Sequence, residues 1–187
     1  IGIDKFRESL INLSNNTGQN VNDLSESLYQ ALSAGVDAGN AMQFLEQANK
    51  LATGGFTDST KAVDVLTTAL NAYGLEANKT EYVSDILVKT QNLGKTSVDQ
   101  LASSLGKVIP TANACNVGID QLGASYAILT AKGVATAEST TYINSMLNEL
   151  SKSGTKSSDV LKDLTGKGFA ELVGEGKNVG EILNIIN

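Results

Sequence analysis

The chain has no histidine, no tryptophan, one cysteine (Cys115) and one proline (Pro110) in 187 residues. Without histidine there is no Ser-His-Asp or Cys-His triad and no imidazole metal cluster. A single cysteine supports neither an internal disulfide nor a cysteine-rich zinc site. Basic residues are also in the minority: 14 Lys and Arg stand against 20 Asp and Glu, for a net charge of −6. Such a balance repels phosphate and argues against a specific nucleic-acid partner. No apolar run approaches the roughly 18 residues of a bilayer span, so no membrane contact is expected of this segment. No basic-then-apolar leader opens the chain. Because the first residue is Ile1 rather than Met, the sequence reads as an excised segment of a longer protein. Together these absences point away from enzymatic activity. No catalytic, cofactor-binding or metal-ligating residue is expected, and no cofactor.

What is present is a foldable, helix-forming composition. Hydrophobic residues make up 41% and charged residues 18%, which is neither membrane-like nor disordered, and the length suffices for a real core. Five Tyr and four Phe are the only aromatics, and abundant Ala, Leu, Ser and Asn favour helices with light side chains over a sheet. Apolar residues recur at helical spacing: Ile3, Phe6, Leu10, Leu13; Val21, Leu24, Leu28, Ala31, Leu32; Ala41, Phe44, Leu45, Ala48, Leu51, Ala52; Ala62, Val65, Leu66, Ala69, Leu70, Tyr73; and Val83, Ile86, Leu87, Thr90. The second half continues with Val98, Leu101, Leu105, Val108, Ile109, then Ile119, Leu122, Tyr126, Leu129, then Tyr142, Ile143, Met146, Leu147, Leu150. No period-2 alternation lasts long enough for a strand. An all-α bundle of about eight or nine helices follows.

Helix ends are marked too. Gly54-Gly55, Gly74, Gly94 and Gly133 sit just past the last apolar position of a stripe, where a left-handed residue closes a helix without a Cβ clash. Asn20 with Asp23, and Ser97 with Gln100, have the spacing of a reciprocal N-terminal cap. Pro110 falls at the end of the Val98 stripe, where it should kink or stop the helix. Beyond Leu150, Ser151 to Ser158 is a polar link. Short stripes follow at Val160, Leu161, Leu164 and at Phe169, Leu172, Val173, then an amphipathic helix with Val179, Ile182, Leu183 and Ile186.

A shift of 77 residues places Val21, Leu24, Ser27 and Leu28 on Val98, Leu101, Ser104 and Leu105. After a one-residue slip, Leu51 falls on Leu129 and Gly55 on Gly133. A three-helix unit at 21–73 is therefore expected to recur at 98–150 as a pseudo-repeat, joined by a helix over Glu76 to Leu93. The expected organisation is a helical core domain at 1–150 with a helical extension of the same domain at 151–187. The period exceeds that of common solenoid repeats, which favours pseudo-symmetry in one bundle.

The tempting chemical sites read better as structure. Gly166, Gly168, Gly174 and Gly176 cluster, and Gly176-Lys177 hints at a phosphate loop. A Walker A loop requires Gly where Glu171 stands and Ser or Thr where Asn178 stands. Cys115 aligns with Ala38 in the repeat and is expected to be a small buried filler, with a reactive thiol as the other reading. Asp58 with Asp64, and Glu76 with Glu81, are scattered along helix starts and exposed faces, and the macrodipole explains those near helix N-termini. Phe56, in Gly-Gly-Phe-Thr-Asp, reads either as a staple on the following helix or as an exposed contact point.

The runs LSESLYQALSAGVDAGNAMQFLEQANKLATGGFTDSTKAVDVLTTALNAYGL (Leu24 to Leu75), VSDILVKTQNLGKTSVDQLASSLGKVIPTA (Val83 to Ala112) and LTAKGVATAESTTYINSMLNEL (Leu129 to Leu150) closely resemble the core region of phage tail tape measure proteins. The resemblance covers roughly Gln19 to Leu150 and is far more specific than a short motif. It implies a virion protein of a phage, prophage or phage-like particle, placed in the tail lumen and assembled in the bacterial host cytoplasm. Roles in tail assembly, tail length determination and genome delivery follow from it. Implied partners are tail tube, tail tip or baseplate proteins and tail assembly chaperones, with self-association. The segment Asn113 to Asn116 is more polar than the Ala-rich stretch the resemblance implies. The alternative is a generic helical adaptor that buries a partner helix in a groove.

Overall fold

In the computed structural model, which describes residues 3–187, every regular element is helical. Ile1, and the side chain of Ile3 assigned to the first stripe, lie outside what is described. The α-helices are α1 (Ile3–Thr17), α2 (Val21–Ser33), α3 (Ala41–Gly54), α4 (Ser59–Ala72), α5 (Thr80–Leu93), α6 (Val98–Leu105), α7 (Ile109–Ala114), α8 (Ile119–Ala131), α9 (Thr136–Ser151), α10 (Lys156–Thr165), α11 (Phe169–Gly174) and α12 (Val179–Ile186). A 3₁₀ turn, Ala77–Lys79, leads into α5.

Twelve α-helices among the described residues replace the expected eight or nine. One reason is Pro110. It occupies the first turn of α7, where a missing N–H costs nothing because that N–H would lack an intrahelical partner. The Val98 stripe therefore breaks at Gly106 to Val108, before the proline, and Pro110 starts a helix rather than ending one. The other reason lies in the tail, where glycines at 166, 168, 174 and 176 divide the chain into three short helices. The polar link is also shorter than Ser151 to Ser158, since α9 includes Ser151 and α10 begins at Lys156.

The capping glycines separate into two kinds. Gly74 and Gly133 have φ of 60° and 95°, the left-handed conformation expected of them. Gly55 and Gly94 do not, with φ of −95° and −104°. A Cβ on Gly55 would lie 2.6 Å from the Cβ of Val98, and one on Gly94 would lie 2.4 Å from Thr130 Oγ1 and 3.1 Å from Ala127 Cα. Both glycines are needed for close approach of backbone to a neighbouring helix. The N-terminal caps form, but singly: Asn20 Oδ1 accepts from Asn22 N at 2.8 Å and Ser97 Oγ from Gln100 N at 3.2 Å. The return bonds expected from Asp23 and Gln100 are not made among the described residues; Gln100 Oε1 instead accepts from Thr136 Oγ1 at 3.1 Å. The reciprocal box occurs where the sequence reading had none, at Asn178 and Glu181 before α12.

A continuous apolar core runs from Leu10 of α1 to Ile182 of α12. α4 packs on α2, α3, α5, α6 and α7, and α5 packs on α3, α6 and α8. α9 then joins α6, α7 and α8 to α10 and α11. Of the tail stripes, Leu161, Phe169 and Leu172 are buried in this core, whereas Val160 and Leu164 face solvent. In α2 the stripe begins at Leu24, because Val21 is exposed.

Tyr126 is a fully buried aromatic on α8, its hydroxyl 2.6 Å from Thr140 Oγ1 on α9. Thr140 donates its own proton to Thr136 O at 3.0 Å, so Tyr126 is the donor to Thr140. Burial pushes the phenol up to about 12, and a bond turned round, from Thr140 to the phenolate, would offset only part of this. The unfolded phenol titrates near 10, so the fold favours its protonated form. That contribution is complete below pH 10 and is lost as pH rises toward 12. Tyr126→Phe is expected to cost about 1 kcal/mol at pH 7. The gap between wild type and variant in guanidinium midpoints should narrow from pH 9 to pH 11. A gap that does not move would place the hydroxyl in water.

Candidate interaction surfaces

The groups able to do chemistry are scattered and already engaged. Cys115 caps the end of α7, is 4% exposed and has its Sγ 2.9 Å from Ser151 Oγ. The neighbouring polarity is structural: Asn113 Nδ2 donates to Ala72 O at 2.7 Å and Asn116 Nδ2 to Ala170 O at 3.2 Å. These bonds tie α7 to the ends of α4 and α11. Gly166 and Gly176 are the left-handed closures of α10 and α11, and Gly168 precedes α11. The tail glycines therefore make helix ends rather than a phosphate cradle. Asp58 caps α4, accepting from Lys61 N at 2.8 Å, while Asp64 is exposed in the second turn of the helix. Glu76 precedes the 3₁₀ turn and Glu81 lies in the first turn of α5, both favourable positions for a carboxylate. Among the described residues no three His, Cys, Asp or Glu side chains group to hold a metal ion, and no helix is long and apolar enough to cross a membrane.

Phe56 is not a staple. Its side chain is 87% exposed, so it packs on no following helix. It is instead the residue that closes α3, with φ of 53° and the bond from Thr57 N to Ala52 O at 3.0 Å that marks such a closure. A non-glycine residue in this conformation costs about 1–2 kcal/mol, and the ring recovers nothing by burial. The turn is nevertheless held firmly. Gly55 abuts Val98, Thr57 Oγ1 donates to Asp99 Oδ1 at 3.0 Å, and Lys61 Nζ reaches the same oxygen at 2.6 Å. The hydrogen bonds from Lys61 and Thr57 hold the Asp99 carboxyl below its ordinary range. The pair is solvated and adds little stability, but it fixes the turn on α6 with the ring pointing outward.

Three concave surfaces are larger than this turn. A cleft of about 400 Å³ between the α2–α3 connection and the 3₁₀ turn is rimmed by Asp37, Asn40, Gln43, Glu76, Asn78 and Glu81. A second, of about 770 Å³, lies between α1 and α3 and is mixed, with Leu13 and Met42 beside Asn12, Asn16, Glu46 and Lys50. The third, of about 450 Å³, is different. It lies between α8, α9 and α12, and its walls include Ala124, Ile128, Tyr142, Met146, Val179 and Leu183. Ile128 is 63% exposed and Tyr142 is 49% exposed.

The sequence reading missed this groove because Ile128 falls off the Ile119, Leu122, Tyr126, Leu129 stripe, and because Tyr142 was assigned to the core stripe of α9. A usable signal was present. α8 is apolar around most of its circumference and carries one charge, Asp120, a pattern of a helix covered on more than one side.

The sequence also places the chain among known proteins. The model of the family described as Phage-related minor tail protein matches residues 7–187. A protein of Clostridium phage phiCD119 named "Probable tape measure protein" is 39% identical over 197 residues, covering 100% of this chain and 21% of the relative. The "Tape measure protein" of Pneumococcus phage Dp-1 is 20% identical over 150 residues, covering 80% of this chain and 13% of the relative. The chain thus spans about a fifth or less of these relatives' lengths. No solved structure matches. With a family match over nearly its whole length, the chain belongs to the phage-related minor tail proteins.

Proposed function

We propose that the chain is a folded segment of a tape measure protein, a structural component of a phage or phage-like tail whose output is assembly geometry rather than turnover. The observation that carries this reading is the match to tape measure proteins through the whole of a helical domain. In this role the complete protein would help set tail length, assist assembly and take part in genome delivery. Its partners would be tail tube, tail tip or baseplate proteins and assembly chaperones. Assembly would take place in the cytoplasm of the bacterial host.

An internal duplication fits the same reading. α2, α3 and α4 begin at 21, 41 and 59, and α6, α8 and α9 begin at 98, 119 and 136. The buried pairs Leu24 with Leu101, Ser27 with Ser104 and Leu28 with Leu105 keep the 77-residue shift. At the next turn the left-handed residues are Phe56 and Gly133, so the Gly55 and Gly133 match in sequence is offset by one in conformation. Under this reading residues 1–150 form the core with two related units, and 151–187 extend it.

The test is the virion itself. Purified tails are digested and analysed by mass spectrometry, and peptides of this chain are expected in them. Tails that lack these peptides while the chain is abundant in the infected cell would overturn the assignment and favour a cellular adaptor.

A further inference from the structure

Two helices that stand alike in the sequence are held very differently. The inward stripe of α1, Phe6, Leu10 and Leu13, returns 77 positions later on α5 as Val83, Leu87 and Thr90. On α5 all three are buried, and the helix packs on α3, α4, α6 and α8. On α1, among the described residues, Leu10 alone is buried, Phe6 and Leu13 are half-buried, and the helix rests chiefly on α2 and α3. Glycines account for the tighter seat of α5. A Cβ on Gly123 of α8 would lie 2.6 Å from Thr90 Oγ1 and 3.0 Å from Ile86 Cγ2, so the two helices approach closely there. The residue 78 positions before Gly123 is Leu45 on α3, and the residue 77 positions before Gly94 is Thr17 on α1. Without those glycines α1 does not close on α3, and the cleft of about 770 Å³ separates them, with Leu13 and Met42 on its walls.

Polar contacts follow the same division. Gln91 of α5 donates through Nε2 to Gly54 O at 3.4 Å and accepts from Val98 N at 2.8 Å through Oε1, which ties α5 to α3 and α6. Among the described residues no side-chain hydrogen bond or ion pair ties α1 to another helix. Ser14 Oγ donates to Gln19 O at 2.6 Å in the following turn, and Thr17 Oγ1 to Leu13 O at 2.7 Å in its own helix. The junction with α2 is also free to part. Gly18 takes φ of 72° with open space where a Cβ would stand, and Asn20 caps α2 without help from α1. A helix of 15 residues is marginal in water by itself. α1 therefore unwinds when it leaves its seat, and few buried contacts oppose that step.

We propose that α1 is a strap that opens as one unit at Gly18, undocking and unwinding together, while α2 to α12 stay folded. The inference goes beyond the tail assignment and does not depend on it. Opening widens the cleft on α3 and brings Leu10, Leu13 and Met42 into solvent. The test is amide hydrogen exchange of the 187-residue chain followed by NMR, read at residues 8–17 of α1 and along α4. In the unsubstituted chain residues 8–17 are expected to share one opening constant and to be at least about 100-fold less protected than α4. Two variants then carry the same change 77 positions apart, Leu10→Lys on α1 and Leu87→Lys on α5, both at buried leucines. Leu10→Lys should strip protection from residues 8–17 and leave α4 at least about 100-fold slower to exchange than an unstructured peptide. Leu87→Lys should strip protection from every helix, because α5 is seated among α3, α4, α6 and α8. A smaller difference between α1 and α4 in the unsubstituted chain would overturn the proposal, since α1 would then open with the whole domain. Protection that declines residue by residue toward Asp4 would replace it with fraying. Loss of protection along α4 in Leu10→Lys would show that α1 is an integral part of the core, and survival of α4 in Leu87→Lys would remove the contrast on which the proposal rests.

Discussion

Leu105→Ala is expected to destabilise the domain by about 2–5 kcal/mol, the range for emptying a buried leucine site that only partly collapses. Leu105 is 1% exposed on α6, a helix of eight residues packed against α4, α5 and α9. An isolated helix of that length does not hold in water, so α6 exists because its buried stripe is covered. With neighbours fixed by their own packing, the cavity has little room to close. Leu28, 6% exposed on α2, should respond in the same range. Removal of the caps by Asn20→Ala or Ser97→Ala should cost only about 1 kcal/mol, because each loses one hydrogen bond at a solvated helix end. Urea unfolding of the four variants decides the matter. If Leu105→Ala has the midpoint of Ser97→Ala, the stripe on α6 is not core.

The helical class was legible because it rests on spacing, and spacing survives without contacts. Leu24, Leu28 and Ala31, or Phe44, Leu45, Ala48 and Leu51, have the 3,4 pattern in sequence and are buried in the fold. The details that failed are those in which one residue type serves two physical ends. Glycine after a stripe means a left-handed closure at 74 and 133, but close approach of another helix at 55 and 94. Proline after a stripe means a stop if it falls inside a helix and a start if it falls in the first turn, and Pro110 does the latter. For the glycines the deciding fact is a neighbour distant in sequence, Val98 for Gly55 and Thr130 for Gly94; for Pro110 it is the local break at Gly106 to Val108. Phe56 is harder still: no local rule places an aromatic residue in the left-handed position. Ile128 shows the limit from the other side. Its exposure follows from the separation of α8, α9 and α12, which periodicity along one helix does not encode.

Removal of residues 98–150 from a tape measure protein carrying this domain is expected to abolish tail assembly or infectivity rather than shorten the tail. A ruler must lie extended along the tail axis, and a continuous helix contributes about 1.5 Å per residue. Drawn out in that way, the whole chain would reach about 280 Å and the deleted 53 residues about 80 Å. The domain does not have that form. Among the described residues its longest helix has 16 residues, its helices fold back on one another, and a radius of gyration on the order of 16 Å is expected for a compact chain of this length. No sustained heptad pattern runs through it to support a rod. Deleting 98–150 removes α6 to α9, and with them the cover of α4 and α5 on one side and of α10 and α11 on the other. Leu66, Leu87, Leu161 and Phe169, all nearly inaccessible in the intact core, would lose neighbours at once. The result is an unfolded segment, not a shorter spacer. A control deletion of equal length in any segment of the complete protein that lies extended as continuous helix should instead give viable particles with tails shorter by roughly 80 Å. Electron microscopy of tails from both strains separates the outcomes, and infectious particles shortened in proportion by loss of 98–150 would make this region part of the rod.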